Sequence, residues 1–169
     1  MKEFDYKLNY KKLNFKKPDT RKLYRIGRGE QGVLLVRPYT NFICTYWRFK
    51  TVPEAKLSAK RIYEIYAWYR AKKDFIGMDM CRKFLEMGFT RARRYANHKN
   101  GKKYKDGKIL PQEKDWATSE KAKSATIFKR YRDMVTTDKV YITMRKNWRE
   151  LENANHNIQK SETLWTIQL

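Results

Sequence analysis

A chain of 169 residues that carries 40 Lys and Arg against 18 Asp and Glu must hold a net charge of +22 in whatever body it forms. That excess repels itself as the chain compacts, so it implies a polyanionic partner. The same chain is 41% hydrophobic and 15% aromatic, which is too apolar for a disordered basic tail. Its length is enough for one domain with a real core. No apolar run approaches the roughly 20 residues that cross a bilayer. The opening MKEFDYKLNYKK lacks the apolar stretch of a signal peptide. A soluble cytoplasmic protein is expected, with no membrane partner and no cofactor. Cys44 and Cys81 can form one bridge at most, and each sits in an apolar stretch as a small hydrophobe would.

Punctuation along the chain predicts an α+β fold, with a small antiparallel sheet packed against about five helices. Residues 1–22 alternate lysines with Phe4, Tyr6, Tyr10 and Phe15 and read as an extended arm anchored by its aromatics. The runs LYRI and VLLVRPY flank GRGEQG and read as a glycine-loop hairpin over residues 23–38, to which FICTYWRF, Phe42 to Phe49, adds a third strand. Residues 23–152 then form the single α+β domain, and 153–169 a polar tail whose Leu164, Trp165 and Ile167 dock on it or bind elsewhere.

The helices are marked by their caps. In TVPE, Thr51 caps the amide of Glu54 and Glu54 reaches back, opening a helix to about Lys73. Its core face is Ala55, Ala59, Ile62, Ile65, Tyr66 and Tyr69, and Leu57 and Trp68 lie far round from that face. Gly77 and Gly88 bracket a second helix, MDMCRKFLEM, with Asp79, Arg82, Lys83 and Glu86 on its polar half. Thr90 caps a third, TRARRYANH, in which Arg91, Arg94 and His98 project opposite Ala92 and Ala96. A lysine-rich loop or tiny hairpin follows over 99–108, from its Asn-Gly and Asp-Gly signals. Two closing helices, 119–135 and 138–152, are spaced as a helical hairpin, with Tyr141, Met144, Trp148 and Leu151 facing inward on the second.

Gly27-x-Gly29-x-x-Gly32 matches a dinucleotide fingerprint and a kinase glycine loop, but VLLV reads as a strand where the first needs a helix, and neither HRD nor DFG occurs. The glycines therefore read as an irregular turn in which the backbone reaches positive φ. In a further reading, Arg25, Arg28 and the loop amides grip a phosphate.

The tract from Arg91 to Lys108 is the main functional signal, because its cations sit on and beside one short helix with tyrosines between them. Arg91, Arg94, Lys99, Lys102, Lys103 and Lys105 would contact phosphates, with His98 on the same basic face. Tyr95 and Tyr104 would stack on bases, and Arg25 and Arg28 would make a second contact. Neutralising about six phosphates on a duplex gives a log–log salt slope of roughly −5. The expected function is nucleic-acid binding through the phosphate backbone with weak sequence preference.

Two other readings stand beside it. One is a metal-dependent nuclease using Glu30 with Asp74 or Asp79, although Asp79–Lys83 and Arg82–Glu86 have the spacing of ordinary exposed ion pairs. The other is a protein that binds an acidic host protein through Leu57 and Trp68.

The runs LYRIGRGEQGVLLVRPY, WRFKT and GMDMCRKFLEMGFTRARRYANHKNGKKY together resemble an uncharacterised family, a domain of unknown function found in large tailed phages, cyanophages among them, and in some bacteria and algae. The likeness spans about residues 3 to 150. It implies a free-standing domain, often phage-encoded, that acts inside an infected bacterium. It implies no activity.

Overall fold

The computed structural model describes the backbone of residues 4–166 and the side chains of residues 4–155. Thr51 opens the first long helix, α3 (Val52–Ala71), with the expected capping box: its hydroxyl accepts from the Glu54 amide at 3.3 Å, and Glu54 accepts from the Thr51 amide at 2.9 Å. All six residues assigned to its core face are buried. Asp74 caps the next helix, α4 (Phe75–Asn97), and Ser119 caps α5 (Glu120–Thr136). α4 lies at the centre and packs on both α3 and α5.

α4 replaces the two shorter helices that the sequence predicts, so Gly77 and Gly88 are interior positions and not brackets. Close approach of aromatic rings explains both glycines. A Cβ on Gly77 would stand 2.3 Å from the Tyr69 ring, and one on Gly88 would stand 2.3 Å from the Phe128 ring. The neighbouring helices press aromatic rings into these notches.

The expected hairpin over 23–38 and its third strand do not form. Residues 28–37 run as successive turns, with Gln31, Val33 and Leu35 amides bonded to the carbonyls of Arg28, Glu30 and Gly32. Tyr39–Cys44, which overlaps the start of the stretch read as the third strand, is a short helix, α2. The three glycines sit at φ +67°, +52° and +75°, the irregular turn the sequence suggested. Such a path cannot build a ladder, so much of the backbone of residues 24–31 is satisfied by side chains instead. The Ile26 amide donates to Glu152 at 2.7 Å, and the carbonyls of Tyr24, Gly27, Gly29 and Gln31 accept from Trp148, Arg149, Arg82 and Lys83.

The small sheet lies elsewhere, in the lysine-rich segment. β1 (Tyr104–Lys105) pairs antiparallel with β2 (Lys108–Ile109) across an Asp106-Gly107 turn in which both residues have positive φ. Along the N-terminal arm, which includes the short helix α1 (Pro18–Arg21), Phe4, Tyr10 and Phe15 are buried in the core while Tyr6 is exposed. The last helix, α6 (Lys139–Thr166), continues past the expected end at Glu152. Within it Tyr141 is buried, Met144 and Trp148 are half-buried, and Leu151 is exposed, against expectation. Trp148 stacks on Phe75 at 5.1 Å, and α6 shares little surface with α5, so the pair is not a packed helical hairpin. The side chains of Leu164, Trp165 and Ile167 lie outside the described residues. Among the described residues, no helix is long and apolar enough to cross a membrane.

Candidate functional site

The polar half of α4 is not a solvated face. Asp79 and Lys83 are fully buried and Arg82 nearly so. The glycine segment covers them because its carbonyls need donors, so the Asp79–Lys83 pair becomes an interior tie, while the expected Arg82–Glu86 pair does not form, because Arg82 turns to Asp79 and Glu86 accepts from Arg132. Asp79 Oδ1 accepts from Arg82 Nε at 2.7 Å and from the Tyr141 hydroxyl at 2.6 Å, while its Oδ2 accepts from the Tyr24 hydroxyl and lies 3.8 Å from Lys83 Nζ. Arg82 and Lys83 pass on to the carbonyls of Gly29 and Gln31 at 3.0 and 2.7 Å. Burial pushes the Asp79 carboxyl up, but Arg82, Lys83 and the hydrogen bonds from Arg82 and Tyr141 outweigh it and hold the group far below the usual carboxylate range.

Burial pushes the Lys83 ammonium down to about 7, against the pull of Asp79. An unfolded lysine titrates near ~10.4, so between these values the unfolded chain binds the extra proton and stability rises with pH. Denaturant unfolding is expected to show that rise from about pH 7 to about pH 10 in the wild type and to lose it in Lys83→Met. Parallel profiles in the two proteins would refute it.

With the loop fastened, the second half of α4 becomes the floor of two adjoining depressions. One, of about 350 Å³, is lined by Tyr6, Arg28, Glu30, Leu34, Met87 and Arg91. The other, of about 690 Å³, is lined by Thr90, Arg93, Arg94, His98, Lys103 and Leu110, among others. They meet where the Thr90 hydroxyl donates to Glu30 at 2.7 Å. The glycine segment walls one side of this groove and the β1–β2 hairpin with the chain after it walls the other. Met87 to His98 covers about 16 Å at 1.5 Å per residue, roughly five nucleotide steps of a strand.

The structure thus brings Arg28, Arg91, Arg94 and Lys103 to one groove. Arg91 and Arg94 are exposed, about 60° apart on the helix, and neither pairs with a carboxylate among the described residues. Several cations elsewhere are matched: Arg70 with Asp138 at 2.6 Å, Lys129 with Asp133 at 2.6 Å, and Arg132 with Glu86 at 3.1 Å. Lys99, Lys102, Lys105 and Tyr104 are exposed on the following turn and hairpin, and Lys103 Nζ lies 5.4 Å over the Tyr104 ring.

Three expected residues sit differently. His98 is only 7% exposed, because the backbone turns to an extended conformation there and carries the ring inward, so it does not project from a basic face. Its Nδ1 and Oδ1 of Asn97 are buried without a hydrogen-bond partner. Tyr95 lines neither depression and packs 5.9 Å from Phe49 beneath Lys121. Arg25 is turned to the arm, 4.0 Å from Asp5.

The three acids considered for metal chemistry are held apart by different partners. Glu30 accepts from Thr90, Asp74 accepts from Tyr39 at 2.7 Å and Arg21 at 3.0 Å, and Asp79 is inside. Among the described residues, no group of three or more His, Cys, Asp or Glu is placed to hold a metal ion.

A family model described as a domain of unknown function, DUF4385, matches residues 5–151. The chain belongs to this family. No curated protein and no solved structure matches it. The DUF4385 region covers the glycine segment, all of α4, the hairpin and the part of α6 that carries Trp148 and Arg149, so the groove and all its internal ties except Glu152 fall inside the family domain.

Within DUF4385, what the sequence reading missed is the internal Asp79–Arg82–Lys83 constellation. A signal for it was present: Phe75, Ile76, Met78, Met80, Cys81, Phe84, Leu85 and Met87 are too many apolar residues for a helix with a solvated half.

Proposed function

We propose that this DUF4385 chain binds nucleic acid along the α4 groove, through phosphate contacts with weak sequence preference. The reading rests on one observation: Arg91 and Arg94 stand on a rigid helix, unmatched by carboxylates, beside Arg28 and Lys103. Arginine offers phosphate two parallel donors, and a fixed helix reduces the entropy lost on contact. In the phage setting that the resemblance implies, the ligand is nucleic acid of an infected bacterial cell.

Neutralising Arg91, Arg94, Lys102 and Lys103 to Gln together removes about four contacts, which flattens a salt slope of roughly −5 to between about −1 and −2. Affinity measured by fluorescence anisotropy near 0.1 M salt is expected to fall about a thousandfold. The melting temperature should hold, because exposed residues away from special contacts rarely matter to stability. Unchanged affinity in a folded variant would dispose of the reading.

A second reading has its own observation. Leu57 is 73% exposed and lines a cleft with Tyr46 that Arg48, Lys60 and Arg61 border. Glu54 and Glu64 also line the cleft, and Glu64 pairs with Lys60 and Arg61, which leaves Arg48 beside the apolar anchor to meet an acidic protein partner. Trp68, 49% exposed, lies about 20° from Leu57 on α3. Pull-down from nuclease-treated lysate tests it. A stoichiometric partner that survives nuclease and is lost in Leu57→Ser favours this reading, and an empty pull-down removes it.

A further inference from the structure

Between the end of α5 and the first turns of α6 lies a second cavity, of about 420 Å³, that shares no residue with the groove. Four cations converge on it: Arg82 from α4, and Arg145, Lys146 and Arg149 from one face of α6. Two of them are immobilised. Arg82 gives Nε to Asp79 and Nη1 to the Gly29 carbonyl, and Arg149 gives Nη1 to Glu152 at 2.6 Å and Nη2 to the Gly27 carbonyl at 3.1 Å. A guanidinium carries five N–H donors, so each keeps donors beyond these bonds.

The charges around this cavity do not balance. Asp79 and Glu152 supply two carboxylates against four cations, and Arg145 and Lys146 pair with no acid among the described residues. Two positive charges are left over in a partly enclosed space whose walls include Tyr141 and Ile142. Like charges gathered around one partly enclosed space repel, and an anion between them reverses the sign of that interaction.

We propose that this cavity binds a phosphate group, either the near-dianion of a small phosphomonoester or a monoanionic phosphodiester of a nucleic-acid backbone. A phosphomonoester carries about −1.5 to −2 near neutral pH, which matches the two surplus cations. The pre-positioned guanidinium pair supplies donors without further ordering, and Arg145 and Lys146 close over the anion from the α6 side. The site is independent of the α4 groove and stands or falls without it.

Titration calorimetry on the full chain, with inorganic phosphate and with pyrophosphate at fixed ionic strength, tests the site. Saturable one-to-one binding is expected, weakened at least tenfold by Arg145→Gln with Lys146→Gln and unaltered by Arg94→Gln with Lys103→Gln. The first pair of substitutions breaks no bond to the glycine segment, so that variant should melt no lower than wild type and its loss of binding reads the site alone. Binding that never saturates, or that both variants keep equally, overturns the proposal. Competition by an oligonucleotide of about 20 nucleotides, run in the Arg94/Lys103 variant, separates the two sources. Displacement of phosphate identifies a backbone phosphate as the ligand, and no displacement identifies a small phosphorylated molecule; both outcomes require the cavity to bind phosphate.

Discussion

Asp79→Ala is expected to lower the melting temperature by about 6–20 °C. Removing one member of a buried charge cluster costs about 3–5 kcal/mol, because the ions left behind keep their desolvation penalty. Here two cations, Arg82 and Lys83, and two hydroxyls, from Tyr24 and Tyr141, lose their shared acceptor at once. A chain of this size loses about 2–4 °C per kcal/mol, and its whole stability is of order 5–15 kcal/mol. The damage should also spread, since Arg82 and Lys83 hold the carbonyls of the glycine segment. Tyr141→Phe, which removes one donor and leaves the ions paired, should cost only about 1 kcal/mol. Differential scanning calorimetry on both variants checks the ranking. A fall of less than about 3 °C for Asp79→Ala would mean that the cluster does not hold the fold together.

The pH response of the cluster has a definite sign. The folded Asp79 carboxyl titrates far below its unfolded value, so its contribution is fully present above the unfolded value, about 3.9, and drains away as pH falls toward the folded one. The Lys83 contribution runs the other way, as a penalty carried at low pH that is relieved as pH rises above about 7. Together they place the best stability on the alkaline side of neutrality.

Gly77→Ala combined with Gly88→Ala is expected to destabilise by about 3 kcal/mol, although alanine is the better helix former by about 1 kcal/mol per site. The added methyls would stand 2.3 Å from buried rings of Tyr69 and Phe128, closer than any real contact, so a ring or a helix must move. Overpacking of this kind costs about 1–3 kcal/mol at each site and more where the neighbour is rigid. The positions are about 16 Å apart along α4, so their effects should add. Urea unfolding measures the sum. A double variant as stable as the wild type would show that α3 and α5 do not approach α4 as closely as described.

Much of the architecture was legible in local chemistry. The Thr51–Glu54 box, the buried face from Ala55 to Tyr69, the Asp106-Gly107 turn and the positive φ of the glycines follow from side-chain reach and backbone sterics within a few residues. The groove was legible in part. Arg91 and Arg94 are on a helix and exposed, but the sequence could not show that Arg28 arrives beside them, or that Tyr95 and Arg25 turn elsewhere.

What the sequence alone determined is the set of helices with strong caps and one apolar face, the tight turns, and the large positive surplus. What only the tertiary structure decided is where polar groups spend their hydrogen bonds. LYRI and VLLV have strand-like composition, yet a chain bent by three left-handed glycines cannot present a regular edge. Its carbonyls therefore take donors from Arg82, Lys83, Trp148 and Arg149, at separations of 52 to 124 residues. A charge pattern read along one helix cannot reveal an acceptor that distant in sequence, and for that reason Asp79 and Lys83, spaced as a surface pair, lie in the core, and Arg82 turns inward instead of pairing with Glu86.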